Sequence, residues 1–135
     1  MLPAADNTKK KTFKKYDKLK SSLEIETLYR KNHFFVAYPL KCYYNFSDLI
    51  ENKSTIQSAF TVPKKTFKHA VNRNTLKRRM REAYRLHYKT IFETLTNQKD
   101  KQLKLFFIYI GKESLAYDCI AQNMQLLLQK IRMAF

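Results

Sequence analysis

Between Lys64 and Lys89 the chain reads KKTFKHAVNRNTLKRRMREAYRLHYK, with no proline or glycine anywhere in the run. Strong helix formers dominate once Asn74 is passed: Leu76, Lys77, Arg78, Met80, Arg81, Glu82 and Ala83. The expectation is one long helix from about Ala70 to about Leu95. At ~100° per residue, Lys77, Arg78, Arg81 and Arg85 fall within about 60° of Asn74. Leu76, Met80, Ala83, Tyr84, His87 and Ile91 gather on another side. One side is suited to a core, and the other holds cations and an amide in a row.

Ten residues of the stretch are Lys or Arg, and Glu82 alone opposes them. Like charges at i,i+3 and i,i+4 repel by a few tenths of a kcal/mol per pair, so the helix gives up stability to hold this row. A polyanion partner would reverse the sign of that term. A solvated basic face is the plainer alternative, but ordinary surface helices mix signs and this one does not. Arg also outnumbers Lys within the helix, and its planar fork suits phosphate.

The rest of the chain agrees. In 135 residues, 27 Lys and Arg face 11 Asp and Glu, a formal net charge of +16, while hydrophobic residues make up 44%. That is too apolar for a disordered basic tail and enough for one domain with a real core. A folded, strongly basic domain of this size points first to nucleic acid and second to an anionic membrane. No apolar run approaches the roughly 18 residues that a membrane span needs. The N-terminus has no apolar signal-peptide core. The expected compartment is the cytoplasm. Cys42 and Cys119 lack metal-ligand spacing and read as reduced, partly buried thiols. His33, His69 and His87 are scattered, His87 as a packing residue. Gly111 is the only glycine, so no phosphate-cradling loop exists. No paired histidines, clustered carboxylates or metal site offer a route to phosphodiester hydrolysis. The expected catalytic set in the protein is therefore empty, as is the metal set.

Taken in order, residues 1–17 form a basic lead-in, either a mobile tail that attracts phosphate or a solvated extension without a role. A single domain is expected over 18–135. From Lys18 to Asn32 a short amphipathic helix begins at Ser21 or Ser22, with Glu24 and Glu26 in its first turn and Ile25 and Tyr29 on one face. Phe34 to Phe46 is aromatic and strand-forming, with Pro39 at an edge or bend. Ser47 to Ser54 reads as a turn region. Thr55 to Val62 alternates, with Ile56, Ser58, Phe60 and Val62 on one side. After the basic helix, Thr96 to Gln102 is a polar loop. Leu103 to Ile110 is a strand buried on both faces. A last helix from Tyr117 to Met133 turns Ile120, Met124, Leu127, Leu128 and Ile131 inward. The fold class is α/β (α+β): a two-layer sandwich in the order α-β-β-β-α-β-α, its helices packed on a mainly antiparallel sheet.

The block AVNRNTLKRRMREAYR, Ala70 to Arg85, resembles the signature of the bacterial ribonuclease P protein family. That pattern is an Ala-Val pair, Arg-Asn, Lys-Arg and a further Arg, here Ala70, Val71, Arg73, Asn74, Lys77, Arg78 and Arg81. VPKK, Val62 to Lys65, is similar to the family's strand end with paired lysines. Two departures stand out. Thr66, Phe67 and Lys68 follow the lysines where a glycine is usual. Ile25 and Tyr29 stand where members often carry phenylalanine.

The resemblance implies a protein subunit of an endoribonuclease that removes the 5′ leader of precursor tRNA, with catalysis by an RNA subunit that itself holds most of the magnesium. It implies a four-stranded sheet with a left-handed βαβ crossover, an exception to the usual hand. The implied RNA-binding residues are Lys64, Lys65, Lys68, Arg73, Asn74, Lys77, Arg78, Arg81 and Arg85. A leader-binding cleft is implied between sheet and first helix, and Ile25, Tyr29, Phe34 and Tyr38 are the candidates to line it. The partners are the catalytic RNA and precursor tRNA, with no membrane and no protein partner. The alternatives are a structural, ribosomal-type RNA-binding protein and a helix-turn-helix DNA binder.

Overall fold

The computed structural model describes residues 22–48, 56–91 and 101–134. The elements run α1 (Ser22–Lys31), β1 (Phe34–Ala37), β2 (Leu40–Asp48), β3 (Ile56–Thr61), α2 (Ala70–Ile91), β4 (Lys101–Tyr109) and α3 (Tyr117–Met133). The strands form one sheet in the order β1-β2-β4-β3. β1 with β2 and β2 with β4 are antiparallel, while β3 and β4 are parallel. Parallel neighbours cannot be joined by a tight turn, and α2 makes the return between them. The expected element order and mostly antiparallel sheet are both present.

Alternation sorts the sheet into two faces. Leu40, Cys42, Leu103, Leu105, Phe107 and Tyr109 are fully buried, and they pack with Leu76, Met80, Ala83 and Tyr84 of α2 and with Ile120, Met124, Leu127, Leu128 and Ile131 of α3. Aromatic rings knit this layer. Phe107 stacks on Phe60 at 5.1 Å and meets the Tyr84 ring edge-on at 5.4 Å. Burial pushes the Cys42 thiol well above its ordinary pKa, and both cysteines are free thiols.

The opposite face carries a smaller cluster, in which Leu28 of α1 sits on Tyr43 and Phe106. α1 is ten residues long and covers only part of that face. The Leu103–Ile110 run is therefore buried on its second side only where α1 lies over it. Phe106 is buried, but Lys104 and Ile108 are half-exposed.

Two boundaries differ from expectation. Ser47 and Asp48 belong to β2 and Lys101 and Gln102 to β4, because Ser47 pairs with Gln102 and Asp48 with Lys101. A long antiparallel partner supplies backbone hydrogen bonds that outweigh turn-like composition. α2 is described to Ile91, so the expected extension to Leu95 lies outside the described residues, as do the 1–17 lead-in and most of the 47–54 turn.

At the β1–β2 turn the Tyr38–Pro39 peptide is cis. The Pro39 carbonyl accepts a 2.7 Å hydrogen bond from the Ile110 amide. A Cβ at Gly111 would stand 2.9 Å from the Pro39 Cβ and 3.0 Å from Tyr109 Cε1. The only glycine is thus placed where a backbone must approach a rigid ring.

Phe107→Ala removes a fully buried ring that joins β3 and α2 in the larger core. It should cost about 3–5 kcal/mol of stability in a denaturant titration. A loss below about 1 kcal/mol would contradict the burial described here.

Candidate nucleic-acid interface

α2 begins one residue after His69 and carries no acidic residue in its first turn. With Leu76, Met80, Ala83 and Tyr84 turned inward, helical periodicity sends Asn74, Arg78 and Arg81 outward, where all three are exposed. Lys77 and Arg85 lie half-buried on the flanks of that row.

Three arginines of the helix are held by local bonds. Arg73 Nη1 donates to the carbonyls of Phe67 at 2.8 Å and Lys68 at 2.9 Å. Arg79 Nη1 donates to the Leu115 carbonyl at 2.7 Å and reaches Ser114 Oγ at 3.4 Å. Arg85 donates from Nε and Nη2 to the two carboxylate oxygens of Glu82, at 2.8 and 2.5 Å. That hydrogen-bonded fork holds the Glu82 carboxyl below its usual range, against the opposing effect of burial. Arg85 therefore presents less net charge than its neighbours.

The turn before α2 presents Lys64, Lys65 and Lys68, all exposed. It is closed by the Phe67 amide donating to the Pro63 carbonyl at 3.1 Å. The buried Phe67 ring packs edge-on against Tyr109 at 5.7 Å. Among the described residues Asn32 alone has positive φ, so this turn needs no glycine. The turn thus accommodates Thr66, Phe67 and Lys68, where the resemblance led a glycine to be expected, without strain. Tyr109 also ties down the β4–α3 loop. Its hydroxyl donates to the Glu113 carbonyl at 2.5 Å and accepts from the Leu115 amide at 3.1 Å.

A second patch lies on the sheet face that α1 only partly covers. The register aligns Ala59, Phe106, Tyr43 and Phe34 in one row across the four strands. Tyr29 of α1 leans over that row, 4.7 Å from the Tyr43 ring and 5.5 Å from the Phe106 ring. Phe34 lies 5.5 Å from Tyr43. Tyr29 stays 43% exposed and Phe34 39% exposed, so both keep free ring surface. Partial burial, with Tyr43 next in effect, lifts the Tyr29 phenol above its ordinary pKa. Lys41 Nζ sits 4.2 Å from the Phe34 ring centre and 4.8 Å from that of Tyr43.

The structure thus gathers two of the four expected cleft residues, Tyr29 and Phe34. Ile25 is half-buried and packs against the Leu28 cluster from the side. Tyr38 is 58% exposed in the β1–β2 turn, away from the ring row and near enough to Tyr109 to affect its titration. Phe35 is sorted to the other face, stacked on Tyr44 at 5.4 Å. Lys41 was not among the expected site residues. Its signal was its place two residues before Tyr43, which puts both on one face of a strand.

The two patches are neighbours. In the adjoining row Thr61 pairs with Ile108, which pairs with Lys41. Lys64 follows Thr61 by three residues and leaves the sheet at the Lys41 end. Among the described residues no group of three or more His, Cys, Asp or Glu could hold a metal ion. Among them, too, no helix is long and apolar enough to cross a membrane.

Comparison with known proteins fits this geometry. The Ribonuclease P family model matches residues 13–132. The chain belongs to the ribonuclease P protein family. It is 31% identical over 103 residues to the ribonuclease P protein component of Porphyromonas gingivalis, covering 76% of this chain and 73% of that one. It is 29% identical over 131 residues to that of Chlorobium phaeobacteroides, covering 91% and 90%. The ribonuclease P protein of Staphylococcus aureus superposes with a TM-score of 0.66 at 18% identity, over 85% of this chain and 94% of that one. At that identity the superposition establishes a shared fold. Family membership makes this a ribonuclease P protein component and ties it to tRNA processing.

The split between tethered and outward arginines has a measurable consequence. Arg79→Ala leaves the part-buried Leu115 carbonyl without its donor and should destabilise the fold by about 1–3 kcal/mol. Arg78→Ala and Arg81→Ala should stay within about 0.5 kcal/mol of the parent. Denaturant midpoints of the three variants test the division.

Proposed function

We propose that the exposed row of α2 and the lysine turn bind the catalytic RNA of ribonuclease P, while the ring row beside α1 holds the single-stranded 5′ leader of precursor tRNA. In this reading the protein assists endonucleolytic removal of the leader, and hydrolysis, with its magnesium, is carried out by the RNA. The observation that carries it is the pairing of exposed Tyr29 and Phe34 rings with the Lys41 ammonium on a sheet face left half open. Unpaired bases stack on such rings for roughly 1–3 kcal/mol each, and lysines track the phosphates between them. A double-stranded partner offers no free base faces to stack on. A purely phosphate-binding surface would have no use for exposed aromatic rings.

The remaining residues of the reading take definite roles. Asn74, Lys77, Arg78 and Arg81 face RNA phosphates and sugars. Lys64, Lys65 and Lys68 extend that surface toward the sheet end, where Lys41 begins the leader path. Arg85, masked by Glu82, contributes less. Ile25 and Tyr38 flank the cleft without stacking in it.

The test compares the holoenzyme's affinity for precursor tRNA with the leader intact and with the leader trimmed away. The wild type should prefer the intact RNA. Tyr29→Ala should shrink that preference, by up to about 1–3 kcal/mol if the ring carries a full base stack, and leave affinity for mature tRNA unchanged. Equal affinity of the wild type for both RNAs would reject leader recognition and leave a structural RNA-binding role in its place.

A further inference from the structure

We infer that Arg73 is a positioning residue: it shapes the turn that presents Lys64, Lys65 and Lys68, and serves the RNA interface through those lysines. The inference rests on the reading that the lysine turn meets RNA. It assigns Arg73 a role different from that of its outward neighbours in the same helix.

The geometry comes from three bonds. One guanidinium nitrogen of Arg73 donates to two consecutive carbonyls, those of Phe67 and Lys68. The first of those carbonyls belongs to Phe67, the residue whose own amide closes the turn onto Pro63. The Asn72 and Arg73 amides both bond to the His69 carbonyl at 3.1 and 3.2 Å, so the helix start is fixed just beyond. Arg73 therefore spans from the first turn of a rigid helix back to the end of the turn that precedes it.

Without it, the turn keeps its internal Phe67–Pro63 hydrogen bond, but its described hold on the rest of the fold reduces to the buried Phe67 ring against Tyr109. A single ring contact fixes a point but not the direction of the flanking lysines. Bonding two successive carbonyls fixes the peptide planes on either side of the Lys68 Cα, and with them the exit of the Lys68 side chain. Both N–H groups of a single nitrogen, Nη1, are used. A charged donor on a carbonyl is stronger than a neutral one, and Arg holds its donors in fixed geometry. Arg79 makes the same kind of bond on the other side of the helix, to Leu115. In both cases an arginine of the basic helix fastens an adjoining loop.

Two measurements test this together. Hydrogen exchange on the free full-length protein reads the turn itself. Arg73→Ala should speed exchange of the Phe67 amide at least about tenfold while the amides of Met80 and Tyr84 keep their protection, as a local opening does. An unchanged Phe67 amide would overturn the inference.

A double-mutant cycle on affinity for the catalytic RNA reads the coupling. Arg73→Ala should weaken binding roughly tenfold in the wild-type background, and less than about twofold when Lys64, Lys65 and Lys68 are already alanine. An equal loss in both backgrounds would make Arg73 an independent RNA contact and overturn the inference, while leaving the lysine turn in the interface. A triple-lysine variant that binds like the wild type would instead remove that turn from the interface, and the inference with it.

Discussion

Leu76, Met80, Ala83 and Tyr84 bury one stripe of α2 completely against α3 and the sheet. That burial fixes the rotation of the helix about its own axis. A helix free to roll would keep the spacing of its cations but present no fixed face to a partner. This one is locked, so Asn74, Arg78 and Arg81 stay in register on the outside. At roughly 1.5–3 kcal/mol per buried large side chain, the apolar stripe exceeds the few tenths lost at each like-charge pair. The core does not merely tolerate the charged row. It supplies the rigidity that makes the row a surface.

The same logic governs the sheet. β4 lies between β2 and β3, so Leu103, Leu105, Phe107 and Tyr109 form the centre of the helix-facing layer. Its alternate residues face the side that α1 only half covers. Because side chains alternate with a period of two, burying Phe107 necessarily presents Phe106 and Ile108 on the opposite face. The aromatic surface beside α1 is therefore the other side of the core strand, backed by it and stiff for that reason.

Much of this was legible in the sequence, and the limits are instructive. The two faces of α2 could be read because helical period and charge segregate together there. The split of Ile56, Ser58 and Phe60 from Gln57 and Ala59 followed from alternation alone. The roles of Arg73 and Arg79 did not. Each bonds to a backbone carbonyl, and a carbonyl leaves no mark on the sequence; Leu115 is 36 positions from Arg79. Which rings of the Phe34–Tyr44 stretch face the open side also required the strand register, which hairpin geometry sets. Tyr38 shows the consequence. By parity it belongs with Phe34 and Val36, but the chain turns at Pro39 and carries it off the row. The ends of β2 and β4 were misread for a related reason, since their pairing depends on a partner about 55 residues away in the chain.

The near absence of glycine has its own physical reading. Flexible nucleic-acid loops often use glycine so that backbone amides can approach phosphate. This chain has a single glycine, and it sits against Pro39 inside the structure. Under the proposed function, the anion-facing surface is one of side chains on held backbone: lysines on a turn bonded by Arg73 and anchored by the Phe67 ring, arginines on a helix held by its buried stripe. Side-chain cations reach farther than amides and adapt to an irregular phosphate path, at a cost of about 2 kcal/mol of rotamer entropy for each long chain that is fully ordered. Bracing the backbone confines that cost to the side chains. The tethered arginines, Arg73 and Arg79, have their own entropy cost met during folding. Arg78 and Arg81 stay exposed and would meet theirs only on contact, which suits the RNA-facing role proposed for them.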